Sequence, residues 1–174
     1  LNLLVKFKNK NFVPNVVCKN TLFDVGNFDL FSAKNDNIKN FDIIATNPPW
    51  GVSFSKGDTE KLKKIYSEIT SFESFSYFLK KGMDLLLTGG MASFILPESI
   101  LNVKTHKDIR EIILKNAKIK KIVYLSRVFK NVFSPVIRID FKKDRGNNFE
   151  NEVEIRKENE KYQIAQSRWV NNHN

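Results

Sequence analysis

Short apolar runs alternate along this chain with segments whose apolar residues recur every three or four positions, and this alternation restricts the fold more than any other feature. FDIIAT (41–46) and the shorter NVVC (15–18) read as apolar runs of strand length, and MASFIL (91–96) and IKKIVYL (119–125) as two further strands. Runs of this kind suit strands of a sheet covered on both faces. PVIRIDFKK alternates instead, so Ile137, Ile139 and Phe141 face one way and Arg138 and Asp140 the other. Between the runs, SFESFSYFLKKGMDLLLTGG carries Phe72, Phe75, Leu79, Met83 and Leu86 at helical spacing. The spacing predicts a helix from about Ser71 to Leu87, capped by Ser71 and ended by Gly89 and Gly90. THKDIREIILKN predicts a second, with a Thr105-x-x-Asp108 start and Ile109, Ile112 and Ile113 on one side. Strands alternating with helices at these lengths predict an α/β fold, a mostly parallel sheet flanked by helices with right-handed crossovers.

The chain has 174 residues, enough to bury the core of one domain. No apolar run approaches the ~20 residues of a membrane span, and LNLLVKFKNK at the start lacks the apolar stretch and cleavage site of a signal peptide. A cytoplasmic protein with no membrane partner is expected. Cys18 is the one cysteine, which excludes an internal disulfide, and its apolar neighbours predict a buried strand position. His106 and His173 lie apart with no cysteine nearby, so no metal site is expected. Residues 146–174 are polar and read as a linker or an edge hairpin.

Charge is distributed unevenly. Residues 104–145 hold thirteen Lys and Arg against four Asp and Glu, which accounts for nearly all of the net +10. Clustering of that kind is the footprint of a polyanion partner, since each cation near a phosphate releases condensed counterions. Lys118, Lys120, Lys121 and Lys130 are the candidates for contact with a nucleic-acid backbone.

The chemistry concentrates where FDIIAT runs into Asn47, Pro48, Pro49 and Trp50. In an open α/β sheet, ligands bind beyond the carboxyl ends of the strands. The prolines fix φ and remove two backbone donors, and Asn47, preceding a proline, is pushed to an extended conformation. What remains is an acceptor pair, the Asn47 side-chain oxygen and the Pro48 carbonyl, beside the Trp50 indole. An exocyclic amino group on a flat heterocycle satisfies all three. Two acceptors gripping its hydrogens favour a pyramidal nitrogen with its lone pair freed to attack an activated methyl, and positioning with preorganised dipoles supplies the gain.

NPPW at 47–50 resembles the Asn/Asp/Ser-Pro-Pro-aromatic motif of the S-adenosylmethionine-dependent amino methyltransferases, and its surroundings resemble the gamma class of N6-adenine DNA methyltransferases of restriction–modification systems. CKNTLFD, FLKKGMDLLLTGGMASFILPESIL and RVFKNVFSPVIRIDFKK are similar to further motifs of that class in the same order, over roughly residues 12–145. The resemblance implies a partial Rossmann-like methyltransferase domain over 1–145, with 146–174 leading toward an absent target-recognition domain. It implies S-adenosyl-L-methionine as cofactor with Asn20 near its adenine, double-stranded DNA as partner, and a flipped-out adenine stacked on Phe129, or failing that Phe133, opposite Trp50. The seven glycines contain no Gly-x-Gly, so the glycine-rich strand and turn of the class are missing. The resemblance then implies a fragment, with a partner chain supplying the cofactor motif or target recognition. The same tetrapeptide serves enzymes that methylate RNA guanine or a glutamine amide, and a non-catalytic nucleic-acid-binding remnant or subunit is the other class open to such a chain.

Overall fold

A computed structural model of the chain describes residue 18 and residues 20–23, 41–126, 134–146 and 148–169. Its strands are β1 (Phe41–Thr46), β2 (Leu86–Pro97), β3 (Ala117–Ser126), β4 (Val136–Lys143), β5 (Glu152–Lys157) and β6 (Glu160–Ala165), joined in one sheet in the order β1-β2-β4-β3-β5-β6. β1 and β2 pair in parallel, as do β3 and β5, whereas β4 pairs antiparallel with both β2 and β3, and β6 antiparallel with β5. Four strands therefore run one way, with β4 and β6 against them, which gives the α/β fold that the alternation predicts with a mixed sheet of two parallel and three antiparallel ladders. The carboxyl ends of β1, β2 and β3 meet at one edge, where Pro97, Val136 and Ser126 stand in one row.

The helices are α1 (Lys56–Ile65), α2 (Ser74–Leu85) and α3 (Lys107–Asn116). Ser55 caps α1, its hydroxyl accepting from the Asp58 amide, and this Ser-x-x-Asp start is the signal in the sequence for a helix that apolar periodicity does not announce. In α2, Phe75, Leu79 and Met83 are buried, as their spacing predicts. Its ends differ from the reading. Glu73 rather than Ser71 occupies the N-cap, and the Ser71 hydroxyl donates to Ser76 instead. Phe72 stays outside the helix, exposed, with the Lys63 ammonium 4.9 Å from its ring centre.

Gly89 and Gly90 do not end the helix but lie within β2, where the register against β1 jumps from Phe41 opposite Leu86 to Ile43 opposite Met91. A Cβ at Gly90 would come within 2.9 Å of the Asp42 carbonyl oxygen, so only glycine lets the two strands approach there. The helix end is closed from elsewhere. Lys143 on β4 is buried and donates to the Met83 and Leu86 carbonyls.

Ile109, Ile112 and Ile113 are buried on α3, again as predicted. Thr105 does not cap it. His106 holds that position, and the Asp108 carboxylate instead accepts from the Thr70 hydroxyl and the Ser71 amide, which ties α3 to the start of α2. On β4, Ile137, Ile139 and Phe141 are buried, while Arg138 and Asp140 pair with each other on the opposite face. Phe141 stacks on Phe94 of β2 with ring centres 5.9 Å apart, at the middle of the core. Residues 152–165 form a hairpin, β5 and β6, that extends the sheet at its far edge.

Cys18 is exposed and not in a strand, contrary to the buried position its neighbours suggest, and Asn15–Val17 lie outside the described residues. Among the described residues no helix is long and apolar enough to cross a membrane.

Candidate functional site

β1 delivers its last residue, Thr46, to the carboxyl edge of the sheet, and Asn47 follows with its side chain exposed. Pro48 is buried and anchors the turn, Pro49 is exposed, and Trp50 is half-buried with its indole packed on the core. Gly51 then takes a φ of +63°, which lets the chain reverse toward α1 without a Cβ penalty. Among the described residues no hydrogen bond reaches the Asn47 side chain or the Pro48 carbonyl. The described part of the fold thus engages neither acceptor of the sequence reading.

The neighbouring Pro49 carbonyl is engaged. It accepts from the Ser74 hydroxyl at 2.7 Å, and the same oxygen of Ser74 receives the Val52 amide at 3.4 Å. Ser74 is fully buried at the first position of α2. Sequence reasoning misses it because a serine among Ser71, Ser74 and Ser76 at a helix start carries no local signal that distinguishes a cap from a long-range contact. Behind the turn, Phe54 packs edge-on to Tyr77 at 5.9 Å, and Tyr77 in turn meets Tyr66 at 5.6 Å. Burial pushes both phenols upward in pKa, so these rings act as neutral packing.

Asn20 lies exposed at the start of a turn, where its side-chain oxygen accepts from the Leu22 amide and its carbonyl from Phe23. The turn is pinned to the body of the fold by Leu22, which is buried and whose carbonyl accepts from the Tyr66 hydroxyl at 2.9 Å. A cavity of about 350 Å³ lies between β1 and α2, walled by Phe41, Ile44, Phe78 and Leu85, with Lys81, Thr46 and, from the turn, Thr21 also on its lining. Thr21 follows Asn20 and Thr46 precedes Asn47, so the two motifs border one space. Its volume is that of a small-molecule site, with mostly apolar walls and three polar groups, the Lys81 ammonium and the Thr21 and Thr46 hydroxyls. Phe129, Phe133 and Lys130 lie outside the described residues.

The basic segment is less available than its composition suggests. Lys118 pairs with Asp144 at 3.0 Å and Lys121 with Glu154 at 3.1 Å, while Lys120 is exposed. Arg110 is buried with its guanidinium donating to the Ile100 and Val103 carbonyls, and Lys143 is buried at the end of α2. Glu154 gathers Lys121, Arg156 and Lys161, and the hydrogen bond from Lys121, the largest influence, helps hold its carboxyl down at about 2. Arg110, Lys118, Lys121 and Lys143, four of the thirteen cations in the apparent footprint, thus serve the fold.

Residues 5–133 match the family model described as Eco57I restriction-modification methylase. The chain is similar to the type II methyltransferase M.VspI of Vibrio sp. (strain 343), 26% identical over 106 residues, which are 61% of this chain and 26% of that protein. It is also similar to the type II restriction enzyme and methyltransferase RM.Eco57I of Escherichia coli, 26% identical over 149 residues, 78% of this chain and 15% of that protein. The chain thus spans about a quarter or less of the length of these curated relatives. Among solved structures, the type IIG restriction endonuclease BpuSI shares the fold with a TM-score of 0.59 at 15% identity, over 78% of this chain and 20% of that one. The family match takes in β1, the Asn47–Trp50 turn behind it and all three helices, and by that match the chain belongs to the Eco57I restriction-modification methylase family.

Proposed function

We propose that the polypeptide carrying this chain transfers a methyl group from S-adenosylmethionine to the N6 amino group of an adenine extruded from duplex DNA. The observation that carries this reading is the exposed Asn47 at the carboxyl end of β1, followed by a buried Pro48, with two acceptors that the described part of the fold leaves unused. Relatives named as a type II methyltransferase and as a restriction enzyme and methyltransferase support the reaction class and the DNA substrate.

The residues divide the work as follows. Asn47 and Pro48 accept the two hydrogens of the amino group and draw its lone pair out of conjugation. The half-buried Trp50 offers its remaining surface to one face of the base, and Phe129 is the candidate for the other. Stacking of that kind returns about 1–3 kcal/mol per base against the cost of extrusion. The proton shed after alkylation passes to solvent, so the motif needs no general base. S-adenosylmethionine, when bound, supplies a methyl activated by its sulfonium, and the cavity between β1 and α2, which Thr21 of the Asn20 turn also lines, is the candidate place for its adenine end. None of the residues bordering that cavity is a carboxylate suited to a ribose, so the remaining contacts come from residues elsewhere in the polypeptide or from a partner chain. Residues beyond 145 lead, in this reading, toward a target-recognition domain.

The test is transfer of labelled methyl to duplex DNA by the polypeptide carrying this chain, with the product base identified by mass spectrometry. N6-methyladenine that disappears in Asn47→Ala while duplex binding persists is the expected outcome. Label on RNA or on protein with none on DNA would overturn the substrate, and wild-type turnover by Asn47→Ala would remove Asn47 from the mechanism.

A further inference from the structure

The Asn47–Trp50 turn is stiff at its start, where two prolines fix φ, and free to pivot at its end, where Gly51 follows Trp50 with a left-handed φ of +63°. A glycine directly behind an aromatic residue lets the backbone that carries it swing unless both sides are held, a restraint beyond what packing of the Trp50 indole on the core provides. Ser74 supplies it. Its hydroxyl donates to the Pro49 carbonyl at 2.7 Å, just before Trp50, and accepts from the Val52 amide at 3.4 Å, just after Gly51. One oxygen thus spans the hinge.

The contact comes from a rigid support. Ser74 is 0% exposed and is the first residue of α2, which is sealed at its far end by Lys143 and packed into the core through Phe75, Leu79 and Met83. The helix start is further braced by Asp108, which accepts from the Ser71 amide. The single hydrogen of the hydroxyl is committed to Pro49, and one of its two lone pairs to the Val52 amide.

We propose that Ser74 is a positioning residue for methyl transfer: it clasps the Pro49–Val52 hinge and thereby sets the angle of Trp50 and the aim of the Pro48 carbonyl. This rests on the reading of the turn as the amino-group site. Because Pro49 is occupied by Ser74, the acceptor offered to the substrate is confined to Pro48. Loss of the hydroxyl leaves the acceptors present but misaligned, which lowers turnover more than substrate binding, since misplacement by about 1 Å costs on the order of 100-fold in such sites.

The test uses 5-fluorotryptophan labelling, which gives two ¹⁹F resonances because the chain has two tryptophans, Trp50 and Trp169. Trp169 serves as the internal control, since its indole donates to the Leu101 carbonyl on another part of the fold. In Ser74→Ala, and in Ser74→Cys, which keeps the volume but donates poorly, the Trp50 resonance is expected to shift and broaden while that of Trp169 stays in place. In the polypeptide carrying the chain, both variants should lower kcat for methyl transfer by about 10- to 100-fold with KM for DNA changed less than about threefold. An unchanged Trp50 resonance in both variants would overturn the clasp. A moved Trp50 resonance with unchanged kcat would overturn the positioning role. Absence of methyl transfer in the wild type would overturn the proposed activity alone, with the Trp50 resonance still deciding the clasp.

Discussion

The Lys143 ammonium on β4 lies 2.6 Å from the Met83 carbonyl oxygen and 2.6 Å from that of Leu86, at the carboxyl end of α2. Those carbonyls have no intrahelical donor, and the helix dipole adds to the attraction for a cation. Lys143 also joins the helix that supports the Asn47 turn to the strand at the centre of the sheet. Burial, the largest influence, and nearby Arg145 push its pKa down, with the Asp84 carboxylate opposing. Lys143→Met, which keeps the apolar stem, is expected to cost about 2 kcal/mol, as a buried charged donor and its orphaned acceptors do. Urea denaturation would show this as a lower midpoint with an unchanged slope.

Gly90→Ala should be destabilising for a different reason. Its Cβ would meet the Asp42 carbonyl oxygen at 2.9 Å, so β1 must move away from β2. Overpacking of this kind costs about 1–3 kcal/mol. Because β1 carries Asn47, the same variant should also lower methyl transfer by more than the fraction unfolded accounts for, a comparison that activity per folded molecule provides.

His106 gives the fold an acid sensitivity. It is buried, with its ring 5.1 Å from that of Phe75 and its Nε2 3.5 Å from the Ser99 hydroxyl. Burial, the largest influence, holds its pKa below the ordinary 6.5, with Arg110 acting in the same direction and Glu73 and Asp108 opposing. The neutral form is thus favoured in the folded state and the unfolded state binds the proton more readily. The stability this supplies is complete above pH 6.5 and is lost as pH falls below it, by no more than one proton's worth, about 1.4 kcal/mol per pH unit. His106→Leu should remove that slope between pH 6.5 and 5 in urea midpoints.

For DNA binding, the ion pairs rank the lysines. Lys120 is exposed on β3, whereas Lys118 and Lys121 are held by Asp144 and Glu154. Lys120→Ala is therefore expected to reduce the slope of log affinity against log salt by about 1, with smaller changes for Lys118→Ala and Lys121→Ala. Equal effects at all three would mean that the pairs open on binding.

Much of the fold is legible in the sequence because burial follows periodicity. Ile109, Ile112 and Ile113 on α3 and the alternation along β4 could be placed from spacing alone. Element ends were less legible, since they are set by partners far away in sequence. Lys143 seals α2 from 60 residues onward, and Asp108 takes up the residues that seemed to cap it. At the site, the tetrapeptide announced itself through stiff backbone and acceptor chemistry. Ser74 did not, because a buried hydroxyl 25 residues from its partner leaves no trace in local pattern. The charge of the segment 104–145 was visible in sequence, but which cations are paired depended on strand register.

The place of β4 also orders events during synthesis. β1 with β2, and β3 with β5, share no ladder of their own, since β4 lies between β2 and β3 and bonds to each. Until β4 has emerged from the ribosome, nothing joins β3 to the β1–β2 pair. The last turn of the supporting helix waits for Lys143 on the same strand. Closure of that seam thus waits for β4, and a stall or a nick before position 143 leaves the Asn47 turn mounted on an unfinished wall.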